Sequence, residues 1–143
     1  MKNIYKKNFE SSNFSVDDKL KTFSKYVSRK NLSRFLVQNE LFKLQLKIKG
    51  SVVECGVHQG GGVMAWAKLS SIYEPYNYHR KVIGFDTFEG FPSVDKSKDK
   101  TKYAFVGNFK SKNDIKKDIE KSIKVFDKDR PIPKKKKIEL IKG

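Results

Sequence analysis

The sequence has one cysteine, Cys55, four prolines, two histidines and one tryptophan in 143 residues. A lone cysteine excludes a disulfide framework and any zinc site built from several thiolates. No run approaches the ~18 uninterrupted apolar residues of a membrane-spanning helix, so no membrane partner is expected. The opening Met1-Lys2-Asn3-Ile4-Tyr5-Lys6-Lys7 has no apolar block after its charges and does not read as a secretory signal. A cytoplasmic protein is expected. Arginine is also scarce: Arg29, Arg34, Arg80 and Arg130 are the only ones among 32 basic residues. Base readout and bidentate phosphate clamping favour arginine over lysine.

That scarcity matters because the formal net charge is +16. Residues 1–50 carry 12 basic and 4 acidic side chains, residues 51–95 carry 3 and 5, and residues 96–143 carry 17 and 7. The middle third holds every chemically suggestive motif and is slightly acidic. A basic nucleic-acid-binding module is therefore a rival reading rather than the leading one, and nucleic acid is not the expected partner. Lys134-Lys135-Lys136-Lys137 follows Pro131 and Pro133 and leads into an apolar segment, which marks a loop.

What is present is an alternation of element types. Ser15 and Asp18 form a capping box before Val16, Leu20, Phe23 and Val27, whose spacing predicts one helix. Asn31 is placed to cap a second helix carrying Leu32, Phe35, Leu36, Leu41 and Phe42, stopped by Gly50. Three short apolar strands follow at residues 51–56, 81–86 and 138–141. Between them lie helices over about 62–73 and from the Ser111-Lys112-Asn113-Asp114 cap through Ile115, Ile119, Ile123 and Phe126. Residues 92–110 read as a long irregular loop, which inside a compact domain is usually functional or mobile. Strand, helix, strand, helix, strand predicts an α/β, Rossmann-like doubly wound parallel sheet preceded by two N-terminal helices. The expected division is residues 1–50, a helical lid or cap, and 51–143, a partial Rossmann-like domain.

The chemistry centres on Glu54-Cys55-Gly56-Val57-His58-Gln59-Gly60-Gly61-Gly62, between the first strand and its helix. Ligands of doubly wound folds bind outside the carboxyl ends of the strands. A dinucleotide fingerprint starting at Gly56 would need glycine where His58 stands, and a P-loop would need Gly-Lys-Ser/Thr at positions 61–63; both fail. Glu54, Gly56 and Gly60 instead give E-x-G-x-x-x-G, a spacing that resembles the first motif of S-adenosylmethionine-dependent methyltransferases. Asp86 closes the second strand, where an acidic side chain can accept hydrogen bonds from ribose hydroxyls. The plainer reading is a cap on the turn at Thr87 and Phe88. Cys55 reads as a small packing residue, His58 as a contact residue, His79 as solvent-facing, and Trp66 and Met64 as core.

Val53-Glu54-Cys55-Gly56-Val57-His58-Gln59-Gly60-Gly61 followed by Gly84-Phe85-Asp86-Thr87-Phe88-Glu89-Gly90-Phe91-Pro92 resembles the macrocin O-methyltransferase (TylF/MycF) family, which reads "ECGVxxGG" and then "DTFEGxP". The resemblance extends over Gly107-Asn108-Phe109 and Ile138-Glu139-Leu140-Ile141-Lys142-Gly143. It implies an S-adenosylmethionine-dependent O-methyltransferase acting on a sugar hydroxyl of a deoxysugar, glycan or natural-product glycoside. By the same resemblance Glu54, Cys55, Gly56 and Val57, with Gly60 and Gly61 in the turn, meet the methionine end of the cofactor. Asp86 holds the ribose, with Thr87 and Phe88 beside the adenosine, and the N-terminal segment with Tyr26 and Arg29 folds over the cofactor. His58-Gln59 departs from the Trp-Arg of many members. Family members run on well past the position of Gly143. Their metal-binding carboxylates and general base lie there, so catalytic residues and Mg2+ ligands are expected beyond this chain, which reads as the N-terminal, cofactor-binding portion. Three alternatives stay open: a nucleotide-binding α/β protein without methyl transfer, the nucleic-acid module, and a fragment unable to fold alone. The oligomeric state, including a homo-oligomer, is open too.

Overall fold

Short β-branched and apolar segments bounded by turn formers give the three strands β1 (Val52–Cys55), β2 (Val82–Asp86) and β3 (Ile138–Lys142). In the computed structural model, which describes residues 4–111 and 113–143, they form one parallel sheet in the order β1-β2-β3. Val52, Val82 and Ile138 share one register row, and Glu54, Gly84 and Leu140 share another. The chain falls into two compact units, Met1–Lys43 and Leu44–Gly143. The sheet belongs to the second.

Two helices complete that unit: α4 (Gly61–Tyr73) between β1 and β2, and α5 (Ile115–Lys128) between β2 and β3. Val63 and Ala67 of α4 and Ile119 and Phe126 of α5 join Val57, Val82 and Ile138 in one buried core. Both helices therefore cover the same sheet face. Strand order without reversal requires this when each crossover is right-handed, and it corresponds to one winding half of a doubly wound Rossmann-like sheet. The opposite face carries Val53, Cys55, Phe85 and Ile141, all exposed among the described residues. Cys55 is thus a solvent-accessible thiol rather than the packing residue expected, because the strand alternation turns it away from the core.

The first unit holds α1 (Ile4–Ser11), α2 (Val16–Lys21), a 3-10 turn (Phe23–Lys25) and most of α3 (Arg29–Gln45). The expected single stripe from Val16 to Val27 breaks at Thr22, whose Oγ1 donates to the Asp18 carbonyl at 2.7 Å and whose backbone closes the helix. The start of α3 also differs: the Asn31 N–H donates to the Ser28 hydroxyl oxygen at 3.1 Å, so Ser28 is the cap. Within this unit Tyr26 meets Phe9 edge to face at 5.3 Å and its hydroxyl lies 3.1 Å from that of Ser12. In the cap of α5, Asp114 accepts from the Lys117 N–H at 3.0 Å; Lys112 lies outside the described residues. No described helix is long and apolar enough to cross a membrane.

Candidate ligand site at the carboxyl ends of the strands

The turn after β1 begins at Gly56, whose φ of 84° an L side chain rarely adopts. A Cβ built there would meet nothing within 4 Å, so the turn faces open space. Val57 then drops into the core, and His58 returns to the surface at φ 52°. Its backbone N–H donates to Asp86 Oδ2 at 2.8 Å. The other carboxylate oxygen, Oδ1, accepts the Phe88 N–H at 2.7 Å, an Asx turn. Asp86 thus does the capping that the plain reading gave it, and it also ties the glycine turn of β1 to the end of β2.

After Asp86 the chain folds tightly. The Thr87 hydroxyl donates to the Gly90 carbonyl at 2.6 Å and accepts from the Glu89 N–H at 3.2 Å. Gly90 sits so close to the backbone of Asn108 that any Cβ would collide with its carbonyl oxygen. Two reciprocal bonds lock this approach: Phe91 N–H to the Asn108 carbonyl at 3.0 Å and Gly107 N–H to the Phe91 carbonyl at 2.9 Å. They make a neck that closes residues 92–106 into a loop. The DTFEG block is therefore two linked turns and one side of that neck.

These segments enclose a cavity of about 390 Å3, lined among others by Gly56, His58, Asp86, Phe88, Phe91 and Phe109. Phe109 meets His58 edge to face at 5.8 Å and Phe91 likewise at 5.4 Å, which builds one continuous aromatic wall. Among the described residues the non-glycine positions with positive φ are His58, Phe88 (57°) and Phe109 (65°). All three line this cavity. Each such conformation costs on the order of 1–3 kcal/mol, and strain of this kind collects where a binding surface requires it.

Of the nine residues that sequence singled out, Gly56, Asp86, Thr87 and Phe88 line the cavity, while Glu54, Cys55, Val57, Gly60 and Gly61 lie outside its lining. Gly60 caps α4, and a side chain there would strike Ile119. The Glu54 carboxylate packs over Gly62, where a Cβ would collide with it. There it accepts the Trp66 indole N–H at 2.9 Å. Trp66 also packs against the core. Its link to Glu54 was missed, although Gly62 and Trp66 stand one helical turn apart, the spacing that puts two residues on one face. Phe91 and Phe109 were missed as well: scattered loop aromatics carry no period to read.

At the rim, Lys142 donates to Glu89 at 2.6 Å, and this bond with its charge holds the Glu89 carboxyl below its ordinary value. Among the described residues no group of three or more His, Cys, Asp or Glu side chains could hold a metal ion. The ligands of Mg2+ were expected beyond this chain, and no step is assigned to it here.

No protein-family model matches the chain, and no curated protein does. Solved structures do. The crystal structure of CalS11, a calicheamicin methyltransferase, superposes with a TM-score of 0.91 at 24% identity over 97% of this chain and 55% of that one. The apo structure of CalS11, described as a TDP-rhamnose 3'-O-methyltransferase of calicheamicin biosynthesis, gives 0.76 at 21% identity over 97% and 53%. The chain thus has the fold of the matched part and spans about half the length of these neighbours.

Proposed function

We propose that residues 44–143 form the S-adenosylmethionine site of a methyltransferase acting on a sugar hydroxyl. The carrying observation is the placement of Asp86, at the carboxyl end of β2, with one backbone N–H on each carboxylate oxygen at the mouth of an aromatic cavity. A carboxylate offers about four lone-pair sites, so two remain for the vicinal hydroxyls of a ribose. The open space over Gly56 admits a ligand against the backbone of the turn. Phe88, Phe91 and Phe109 supply an apolar bed for a base and keep water from it. The likeness to a methyltransferase fold and the DTFEG resemblance both support this reading; the TDP-rhamnose of the neighbour's description suggests a nucleotide-linked sugar as acceptor.

The bound cofactor supplies an electrophilic methyl group on a sulfonium. The contribution of this chain is positioning: Asp86 fixes the ribose, and the turn fixed by His58 and Gly56 sets the direction in which the rest of the ligand leaves the cavity. Deprotonation of the acceptor is not assigned to any residue here.

Calorimetric titration with S-adenosylhomocysteine tests the site. The chain is expected to bind it, and Asp86→Asn is expected to lose roughly 10- to 100-fold in affinity, the value of hydrogen bonds to a charged group, while circular dichroism stays that of the parent. A folded chain that takes up no S-adenosylhomocysteine, or one whose Asp86→Asn variant binds equally well, overturns the proposal. Binding of ATP in its place favours the nucleotide-binding alternative.

A further inference from the structure

The run Lys134-Lys135-Lys136-Lys137 lies in the loop before β3, and that loop is pinned by its carbonyls. Arg130 donates to the Lys135 carbonyl and Lys81 Nζ to the Lys136 carbonyl. Lys137 is turned inward, and its Nζ donates to the Asn77 carbonyl at 2.8 Å. Lys134, Lys135 and Lys136 are exposed, and none of them pairs with a carboxylate among the described residues. The neighbouring acids are in use: Glu74 accepts from Arg80 and Asn77, Asp127 accepts from Arg130, and Asp129 closes α5. Burial, and then the cations Arg130, Arg80 and Lys81 against the opposing Glu74, push the Lys137 ammonium down to about 8. Positive charge is crowded at this pole rather than compensated.

Lys137 fastens the lysine loop to the turn before β2, and that turn is itself locked. Asn77 Oδ1 accepts the N–H groups of His79 and Arg80, each at 3.2 Å, and Asn77 Nδ2 donates to Glu74 at 3.0 Å. The Tyr78 N–H donates to the Tyr76 carbonyl at 3.1 Å. What the turn displays is aromatic. Tyr76 is 74% exposed and Tyr78 42%. His79 stacks on Tyr78 at 4.1 Å, and Lys135 Nζ lies 5.7 Å from the Tyr78 ring centre. Rings and unpaired ammonium groups thus stand side by side on two segments whose backbones are tied together. An acidic peptide matches the lysines and leaves the rings in water; a chain of phosphates that carries flat bases matches both. Arg80 and Arg130 are buried and committed to protein acceptors, so the contact does not read base edges.

We propose that this surface at the amino ends of the strands binds single-stranded nucleic acid without regard to sequence, its phosphates on Lys134, Lys135 and Lys136 and a base stacked on Tyr76. Scarce arginine and an acidic middle third argue against base readout and against binding through the glycine-turn motifs. Neither argues against a backbone contact at the opposite pole. The surface shares no residue with the ligand cavity and does not rest on the methyl-transfer reading.

The test is fluorescence anisotropy with a labelled oligothymidylate of about 12 nucleotides. It compares the parent with Lys134→Ala/Lys135→Ala/Lys136→Ala and with Tyr76→Ala. Because the chain carries a net +16, Lys121→Ala/Lys124→Ala/Lys128→Ala on the exposed face of α5 serves as the control of equal charge. All of these side chains are exposed, and circular dichroism checks that the fold is kept. The parent is expected to bind with a log–log salt slope of about −2, three phosphates at roughly 0.7 each. The loop variant is expected to lose about 10-fold or more and to flatten that slope, and Tyr76→Ala to lose about 5-fold or more. The α5 control should change affinity by less than about threefold, and a duplex should be indifferent to Tyr76→Ala. No binding of oligothymidylate overturns the proposal. So do equal losses from the two triple variants, which reduce the effect to bulk charge, and binding that ignores Tyr76→Ala, which removes the stacked base. Polyglutamate or phosphatidylserine vesicles bound more tightly than the oligonucleotide through the same lysines overturn the partner class. S-adenosylhomocysteine uptake should be the same in every variant, so either site can fail while the other stands.

Discussion

At the amino ends of the strands, charge is buried and tied by side chains and carbonyls; at the carboxyl ends the half-exposed Asp86 is held by backbone N–H groups. Arg80, just before β2, is 5% exposed, and all five of its N–H donors are placed. They reach both Glu74 oxygens, Gln45 Oε1 and the carbonyls of Ile48 and Gly50. Burial opposes ionisation of Glu74, but the hydrogen bonds from Arg80 and Asn77 outweigh it and hold the carboxyl below its ordinary value. Lys137, just before β3, is 3% exposed and donates to the Asn77 carbonyl at 2.8 Å. Arg130 stacks over Phe126 at 5.7 Å and donates to Asp127 and to the Lys135 carbonyl. At the other pole Asp86 accepts two N–H groups, and the neighbouring residues sit in strained conformations around open space. One pole anchors the strand starts; the other leaves acceptor capacity on Asp86 beside an open cavity.

The contrast predicts that stability and affinity respond separately. Arg80→Ala leaves Glu74, Gln45 and two carbonyls without their donor, and the expected loss is about 3–5 kcal/mol, read as a lower urea midpoint. S-adenosylhomocysteine affinity of the fraction that remains folded should not change. A midpoint that stays put would show that the saturated network is ornamental.

Lys137 sharpens the same contrast through pH. Burial, with Arg130, Arg80 and Lys81 adding to it and Glu74 opposing it, pushes its ammonium from an ordinary 10.5 down to about 8. Below pH 8 both folded and unfolded chains are protonated at this site and the burial penalty is complete. Between pH 8 and 10.5 the unfolded chain binds more protons, so the stability contributed by this group rises with pH. Relative to Lys137→Met, the parent should therefore gain up to ~3 kcal/mol between pH 7 and 10.5. Parallel stability curves for the two proteins would remove the claim.

The smallest effect is expected at Trp66. Trp66→Phe removes one hydrogen bond to a carboxylate, for a loss of about 1–2 kcal/mol, with S-adenosylhomocysteine affinity kept within about threefold. A larger fall in affinity than in stability would move Glu54 from the packing of α4 into the ligand site.

Much of the second unit was legible because its signals are local and periodic. The apolar runs at Val52 and Val82 become strands within a residue of their expected bounds, and Ile115, Ile119, Ile123 and Phe126 pack as one stripe. The first unit was less legible. Its stripe of Val16, Leu20 and Phe23 is more than half exposed on each residue, so periodicity there did not report burial, and the break at Thr22 came from a side chain bonding its own backbone. Arg80 went unremarked because its partners lie 6 to 35 residues away, a separation no local pattern shows.

By itself the sequence determined the order of strands and helices, the glycine turn and the carboxylate that ends β2, since these follow from hydrophobic period, turn chemistry and residue type. Only the tertiary structure decided that Asp86 bridges two turns, that Glu54 belongs with Gly62 and Trp66, and that Phe91 and Phe109 join His58 in one aromatic wall. Those facts depend on which distant backbone segments approach one another, and that is set by parallel strand register and by the Gly90–Asn108 contact rather than by any neighbour along the chain.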